Sequence, residues 1–328
     1  MLSQTNALGA NEKRSNRWLD FQNPLQAAKW LSLLQEEPIS GIRVKPNLRL
    51  DADYLGFSFD SNEFGLRGPC SQFGTSVVLG TSFAMGFGVN VGSDWYAGVL
   101  DDARWFNAGL PVGPFEWAGL LDRWYRGRRQ LALFIYHPNV WQHGLLYLHR
   151  RKAGKGAFET FGWSMDAATV QQLFCRKRRQ QRAARKLGKV MHLACGNACF
   201  SRLDAGYCVV DAETDAARLD EVAQQLKALL LTFDKVICLR VPIKEQLLPS
   251  CHMNNHFLLA NRSHDRMWRL TTEIIASHPD VHAVECSGFS MSDYHPLDSH
   301  LNCAGNQRLG AVIQELLAHH ACTDGVSA

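Results

Sequence analysis

The chain lacks any run of about eighteen consecutive apolar residues, which excludes a membrane-spanning helix of ordinary length. Its opening residues lack the continuous apolar segment and small-residue cleavage site of an export signal, because Met1-Leu2-Ser3-Gln4 leads directly into a polar, charged stretch. These two absences predict a soluble, cytoplasmic protein without a transmembrane segment. Charge of one sign is also scarce. A formal net charge of +4 over 328 residues carries no argument for nucleic acid or an anionic membrane. Low-complexity linkers and internal repeats are missing, so nothing announces a tandem array.

Ten cysteines are present, but they are dispersed and read as reduced thiols in the absence of an export signal. The one local cluster, Cys195-Gly196-Asn197-Ala198-Cys199 with His192 and Cys208 nearby, lacks the second ligand pair of a structural zinc site. Gly86-Phe87-Gly88-Val89-Asn90-Val91-Gly92 fits neither the dinucleotide nor the P-loop spacing. No metal and no cofactor is therefore expected.

What is present suits an ordinary globular protein with a substantial core: 46% hydrophobic and 20% charged residues, in a chain large for one domain and small for two. Residues 1–72 read as a leader that packs on a main domain over 73–328. Within the leader, Leu25, Trp30, Leu31 and Leu34 have helical spacing from Pro24 to Glu37, with Pro38 as a stop. Ile42 to Phe59 reads as short strands or extended loop.

From Ser76 the pattern becomes a β/α alternation. Strands are expected at Val77-Val78-Leu79, Trp105-Phe106-Asn107, Leu131 to Tyr136, Val236 to Val241 and Val281 to Val284. Helices are expected from Ser93 to about Ala103, Phe115 to Tyr125, Thr214 to Leu231, Arg266 to Ser277 and Asn306 to His319. The alternation stalls over about 141–210, read as a helical insertion containing a basic run from Arg176 to Lys189. A solvated helix face explains that run best, with docking of an acidic partner as the functional alternative. It has few interleaved aromatics, which argues against nucleic acid. Trp141, Phe161 and Trp163 flank the insertion and are expected to pack it down. Strands alternating with helices imply a parallel α/β sheet covered on both faces, with ligands outside the carboxyl ends of its strands.

Ser82, Gly109 and Asn139 all fall at such ends. A serine hydroxyl is a poor nucleophile at neutral pH and needs a base for its proton and donors for the oxyanion. Ser82 would attack a carbonyl carbon, His300 would take the proton, and Asp298 would orient the imidazole. The backbone amides of Ser82 and Gly109, with the side-chain amide of Asn139, would face the developing charge. His295, two residues after Asp293, is a rival base. Read singly, Ser82 is a helix cap, Gly109 a tight bend and Asn139 a turn cap.

Four blocks occur in order: Gly80-Thr81-Ser82-Phe83 with Gly86-Phe87-Gly88-Val89; Asn107-Ala108-Gly109; His137-Pro138-Asn139; and Asp298-Ser299-His300-Leu301-Asn302 with Gly305. On these the chain resembles the SGNH or GDSL serine hydrolases. Asn62-Glu63-Phe64-Gly65-Leu66-Arg67-Gly68-Pro69 and Val241-Pro242-Ile243-Lys244-Glu245-Gln246 are similar to segments of bacterial members. The resemblance implies a three-layer α/β/α sandwich with a flavodoxin-like five-stranded parallel sheet that cleaves or transfers acyl groups without a cofactor. The Asp-x-His spacing is similar to the branch with alginate O-acetyltransferase-like proteins. Thr81 replaces the family's usual aspartate before the serine, and Val140 replaces an acidic residue frequent after the asparagine. The expected activity is a serine esterase acting on a small acyl ester, foremost O-acetyl on a saccharide. An O-acyltransferase and a non-catalytic scaffold are the alternatives.

Overall fold

The computed structural model describes residues 29–30, 32–37, 41–154, 192–195, 198–201, 216–247, 255–295 and 300–324. Its centre is a five-stranded, all-parallel sheet built from β5 (Ser76–Gly80), β6 (Trp105–Asn107), β7 (Leu131–Tyr136), β10 (Lys235–Arg240) and β11 (Val281–Glu285). The spatial order β11-β10-β7-β5-β6 is the 2-1-3-4-5 order of doubly wound, flavodoxin-like sheets. In this order the chain reverses direction of winding between β5 and β7, which opens a crevice at their carboxyl ends.

Every residue of β5 and of β7 is buried, which explains why both read as uninterrupted apolar runs. Their side chains alternate between faces. Val77, Leu79, Ala132, Phe134, Val236 and Cys238 face α2 (Pro114–Trp124), α3 (Asn139–Ala153), α4 (Ala216–Leu230) and α5 (Asn255–Ile275). Val78, Leu133, Ile135, Ile237 and Leu239 face α6 (Cys303–Asp324) and the turns around Phe83 to Leu100. The result is a three-layer α/β arrangement. Truncating Leu133, buried in the middle of it, to alanine would cost about 2–5 kcal/mol.

The leader contributes a third apolar cluster. β1 (Leu34–Glu37) pairs antiparallel with β2 (Gly41–Val44), β3 (Arg49–Leu50) pairs with β4 (Phe59–Asp60), and the short α1 (Ala52–Leu55) lies between. Leu34, Ile42, Val44, Phe57 and Phe59 pack with Met85 and Phe87, so the leader buries the turn that follows β5.

Three expectations are corrected. The helix expected from Pro24 to Glu37 ends instead as strand β1, because Leu34 to Glu37 pair antiparallel with Gly41 to Val44 and Leu34 is buried with Ile42 and Val44; residues 24–28 and 31 lie outside the described residues. The helix expected from Ser93 to Ala103 is a chain of turns, broken where Gly98 adopts φ +70. Trp95, Tyr96 and Leu100 remain buried there, so tertiary contact overrides the helical spacing. The helix expected from Arg266 begins earlier, at Asn255.

Of the expected insertion, Asn139–Ala153 is a helix with Val140, Trp141 and Leu148 in the core, and β8 (His192–Cys195) pairs antiparallel with β9 (Ala198–Ser201). The basic run from Arg176 to Lys189, Phe161, Trp163 and Cys208 lie outside the described residues. Among the described residues no helix is long and apolar enough to cross a membrane, and no group of three or more His, Cys, Asp or Glu is arranged to hold a metal ion.

Candidate active site

The site begins where β5 must turn. Gly80 sits at φ +150, and a side chain there would meet Ala84 Cβ and the Ile135 carbonyl at 2.7 Å, so only glycine allows this tight exit. The chain then coils through one irregular turn, with amides of Met85, Gly86 and Phe87 donating to the carbonyls of Thr81, Phe83 and Ser82. Side chains from behind hold the turn's carbonyls. Trp95 Nε1 donates to Phe83 and Ala84 at 3.0 and 3.1 Å, Asn107 Nδ2 donates to Ala84 at 3.2 Å, and Arg67 donates to Gly86 and, at 2.9 Å, to Val89. With its carbonyls anchored on one side, the turn presents the Ser82 end at the crevice. No backbone carbonyl among the described residues takes the Ser82 amide hydrogen.

His300 arrives from the far end of the chain. Its Nε2 lies 2.7 Å from Ser82 Oγ, a hydrogen bond between residues 218 apart in sequence. The imidazole is flanked by the rings of Phe83 and Phe87, at centroid distances of 6.0 and 5.1 Å. Behind it, the His295 amide donates to the His300 carbonyl at 3.0 Å and the Asn302 amide to Asp293 at 2.9 Å. Asn302 Nδ2 donates to the carbonyls of Ser292 and Tyr294, while its Oδ1 accepts from the Gly305 amide and so caps α6. One asparagine thereby fixes both the histidine loop and the start of the closing helix.

The two candidate bases separate cleanly. His300 meets Ser82, whereas the His295 ring is buried, its amide held by His300 and its carbonyl by Lys244 Nζ at 2.6 Å. Asp293 is committed locally, accepting from the Ser290 amide at 2.7 Å and facing Arg308 Nε at 3.4 Å. Asp298 lies outside the described residues.

Gly109 and Asn139 follow β6 and β7, the strands on either side of β5. The Gly109 amide donates to Asn107 Oδ1 at 2.9 Å, so in this structure that hydrogen is given to a side chain. Asn139 opens α3, and its amide donates to His137 Nδ1 at 3.2 Å. Thr81 is buried, and its hydroxyl has no hydrogen-bond partner among the described residues.

His137 carries no role in the sequence reading beyond membership of a block, and His264 on α5 carries none. The His137 ring meets Phe83 edge-on at 4.8 Å. Burial first, then the neighbouring His264, His300 and His143, hold its pKa well below the ordinary value. His264 is pushed down to about 4 by burial, and neither ring nitrogen has a hydrogen-bond partner among the described residues. Both rings are neutral at physiological pH. Because His137 Nδ1 accepts a hydrogen bond, its proton resides on Nε2. Nothing in the spacing of His264 within a polar helix signals that it stands near this site.

The architecture and the Ser–His pair define a doubly wound α/β protein with a serine–histidine hydrogen bond at the carboxyl end of its first sheet strand. No protein-family model matches the chain, and no curated protein matches it significantly.

Proposed function

We propose that this protein is a serine esterase of the SGNH type, cleaving a small acyl ester such as an O-acetyl group on a saccharide, through an acyl-enzyme on Ser82. The observation that carries the proposal is the 2.7 Å contact between Ser82 Oγ and His300 Nε2 at the carboxyl edge of a parallel sheet. That distance is within reach for direct proton transfer.

In the proposed reaction, Ser82 Oγ bonds to the ester carbonyl carbon as its proton passes to His300 Nε2. The tetrahedral intermediate collapses, the C–O bond to the alcohol breaks, and the imidazolium returns the proton to the departing oxygen. Water then repeats the sequence on the acyl-enzyme, releasing the carboxylic acid and restoring Ser82. Asp298 is proposed to orient His300 and to stabilise its charged form. The oxyanion hole is proposed to use the Ser82 amide and the Asn139 carboxamide. Gly109 joins them when the oxyanion displaces Asn107 Oδ1 from its amide. The neutral ring of His137 places no positive charge beside the imidazolium that His300 becomes.

Capture of the acyl group by a sugar hydroxyl instead of water would make the same machinery an O-acyltransferase. Incubation with an acetyl ester, alone and with acceptor oligosaccharides, separates the two. The esterase reading expects acetate in both cases and no product with Ser82→Ala. Acylated sugar formed at the expense of acetate would reassign the protein as a transferase, and no turnover of any acyl ester by folded protein would favour a non-catalytic scaffold.

A further inference from the structure

His137 leaves β7 at its carboxyl end, and β7 pairs with β5, whose own carboxyl end leads to Ser82. In doubly wound sheets that edge is where ligands bind. The His137 ring lies edge-on to Phe83 with centroids 4.8 Å apart, and the same Phe83 ring lies 6.0 Å from the His300 imidazole. Two histidines thus pack on the one aromatic residue that follows the serine.

The two nitrogens of the His137 ring are in different states. Nδ1 accepts from the Asn139 amide at 3.2 Å, which places the ring proton on Nε2. No acceptor for that proton is found among the described residues. Nor is the atom sealed in the interior: both ring nitrogens of the neighbouring His264 are shut off from solvent, whereas His137 is 7% exposed and its Nε2 is not closed off. A largely buried imidazole that spends one nitrogen on its own loop and leaves an N–H open at the ligand edge calls for an acceptor from the substrate.

Charge decides which oxygen that is. Burial and the imidazoles of His264, His300 and His143 keep the His137 ring neutral. A neutral imidazole donates its N–H to a developing oxyanion without setting a second positive charge beside the histidine that takes the serine proton. Among the expected oxyanion donors, the Gly109 amide is already given to Asn107 Oδ1 at 2.9 Å and is freed only by displacing it. His137 Nε2 has no such partner to displace. We propose that His137 is a donor of the oxyanion hole, its Nε2–H taking the ester carbonyl oxygen as that oxygen gains negative charge. The inference rests on the acyl-enzyme reading above and adds to it a side chain that acts on the reacting atoms.

Two substitutions separate the two nitrogens. His137→Asn keeps an acceptor for the Asn139 amide, in the two-residue geometry of an Asx-turn, and deletes the Nε2 donor. His137→Gln reaches further, setting an amide N–H near the Nε2 position and giving up the Nδ1 acceptor. With p-nitrophenyl acetate as substrate, and melting temperatures recorded to establish folding, His137→Asn should lower kcat about 100-fold or more with KM nearly unchanged, while His137→Gln should stay within about tenfold of native. A residue that only holds the Asn139 loop predicts the opposite order. A second measurement needs no variant: native protein phosphonylated on Ser82 by ethyl p-nitrophenyl methylphosphonate presents a phosphoryl oxygen where the oxyanion would lie. The His137 Nε2–H proton should then move downfield in the imidazole ¹H–¹⁵N spectrum. The opposite order of the variants, an unchanged kcat in His137→Asn, or an unmoved resonance in the phosphonylated protein overturns the inference and leaves the esterase reading standing. Native protein that neither hydrolyses the ester nor takes the phosphonate overturns both.

Discussion

The serine and the histidine are held in place by different means. The turn carrying Ser82 is gripped through side chains: Trp95, Asn107 and Arg67 take its carbonyls from behind, and the leader buries Met85 and Phe87 beneath it. The loop carrying His300 is held by the His295 and Asn302 amides and by the side chains of Asn302, Asn306 and Lys244, which donate to its carbonyls. A buried charge underlies each, Arg67 beneath the first and Lys244 beneath the second. Arg67 is fully buried, within 3.6 Å of Asp94 and 3.7 Å of Asp60, and its guanidinium lies over the Phe59 ring. The Ser82 turn is therefore anchored by a guanidinium facing two carboxylates, the His300 loop by an ammonium on a carbonyl and by the asparagine clamps.

The largest break in that contrast is Arg67→Met. It strands Asp94 without its countercharge and should cost about 3–5 kcal/mol, visible as a fall in the denaturation midpoint. Asn139→Ala lies outside both supports and should leave stability nearly unchanged while lowering turnover about 100-fold to 1000-fold, measured as kcat on an acetyl ester. An unchanged kcat would remove Asn139 from the oxyanion hole.

Acid should act between these extremes. A histidine whose folded pKa lies below its unfolded value of about 6.5 contributes stability that is complete above that pH and lost as pH falls through the folded value. For His264, held down to about 4, the window runs from about 6.5 to 4, with a loss on the order of a few kcal/mol. Equilibrium unfolding across that range should show the decline, and His264→Phe should reduce it without abolishing it, because burial holds His137 and His143 down as well. Asn302→Ala is the mildest change: loss of the α6 cap should cost about 1 kcal/mol, with a larger proportional fall in kcat because the His300 loop loses its clamp. Equal effects on stability and rate would erase the distinction between the two supports.

Much of this was legible in sequence because it depends on local pattern. The sheet strands stand out as apolar runs since both faces are covered, as at Leu131–Tyr136. The Ser82–His300 pairing was legible only through its short blocks, as nothing about either residue alone distinguishes it from a cap or a surface imidazole. The turns over residues 93–103 were not, because Trp95, Tyr96, Val99 and Leu100 mimic helical spacing while Trp95 serves the Ser82 turn. Nor was the work of Arg67, whose partners Gly86, Val89 and Asp94 are backbone atoms and a carboxylate remote in sequence. The engagement of the Gly109 amide by Asn107 is likewise a geometric fact without a compositional trace.

The most direct measurement is intact-mass analysis after exposure to a fluorophosphonate, on the native protein and on Ser82→Ala and His300→Ala. An activated Ser82 predicts one adduct on the native protein, none on Ser82→Ala and a strongly slowed adduct on His300→Ala. No adduct on folded native protein, or an adduct that persists in Ser82→Ala, would contradict the account.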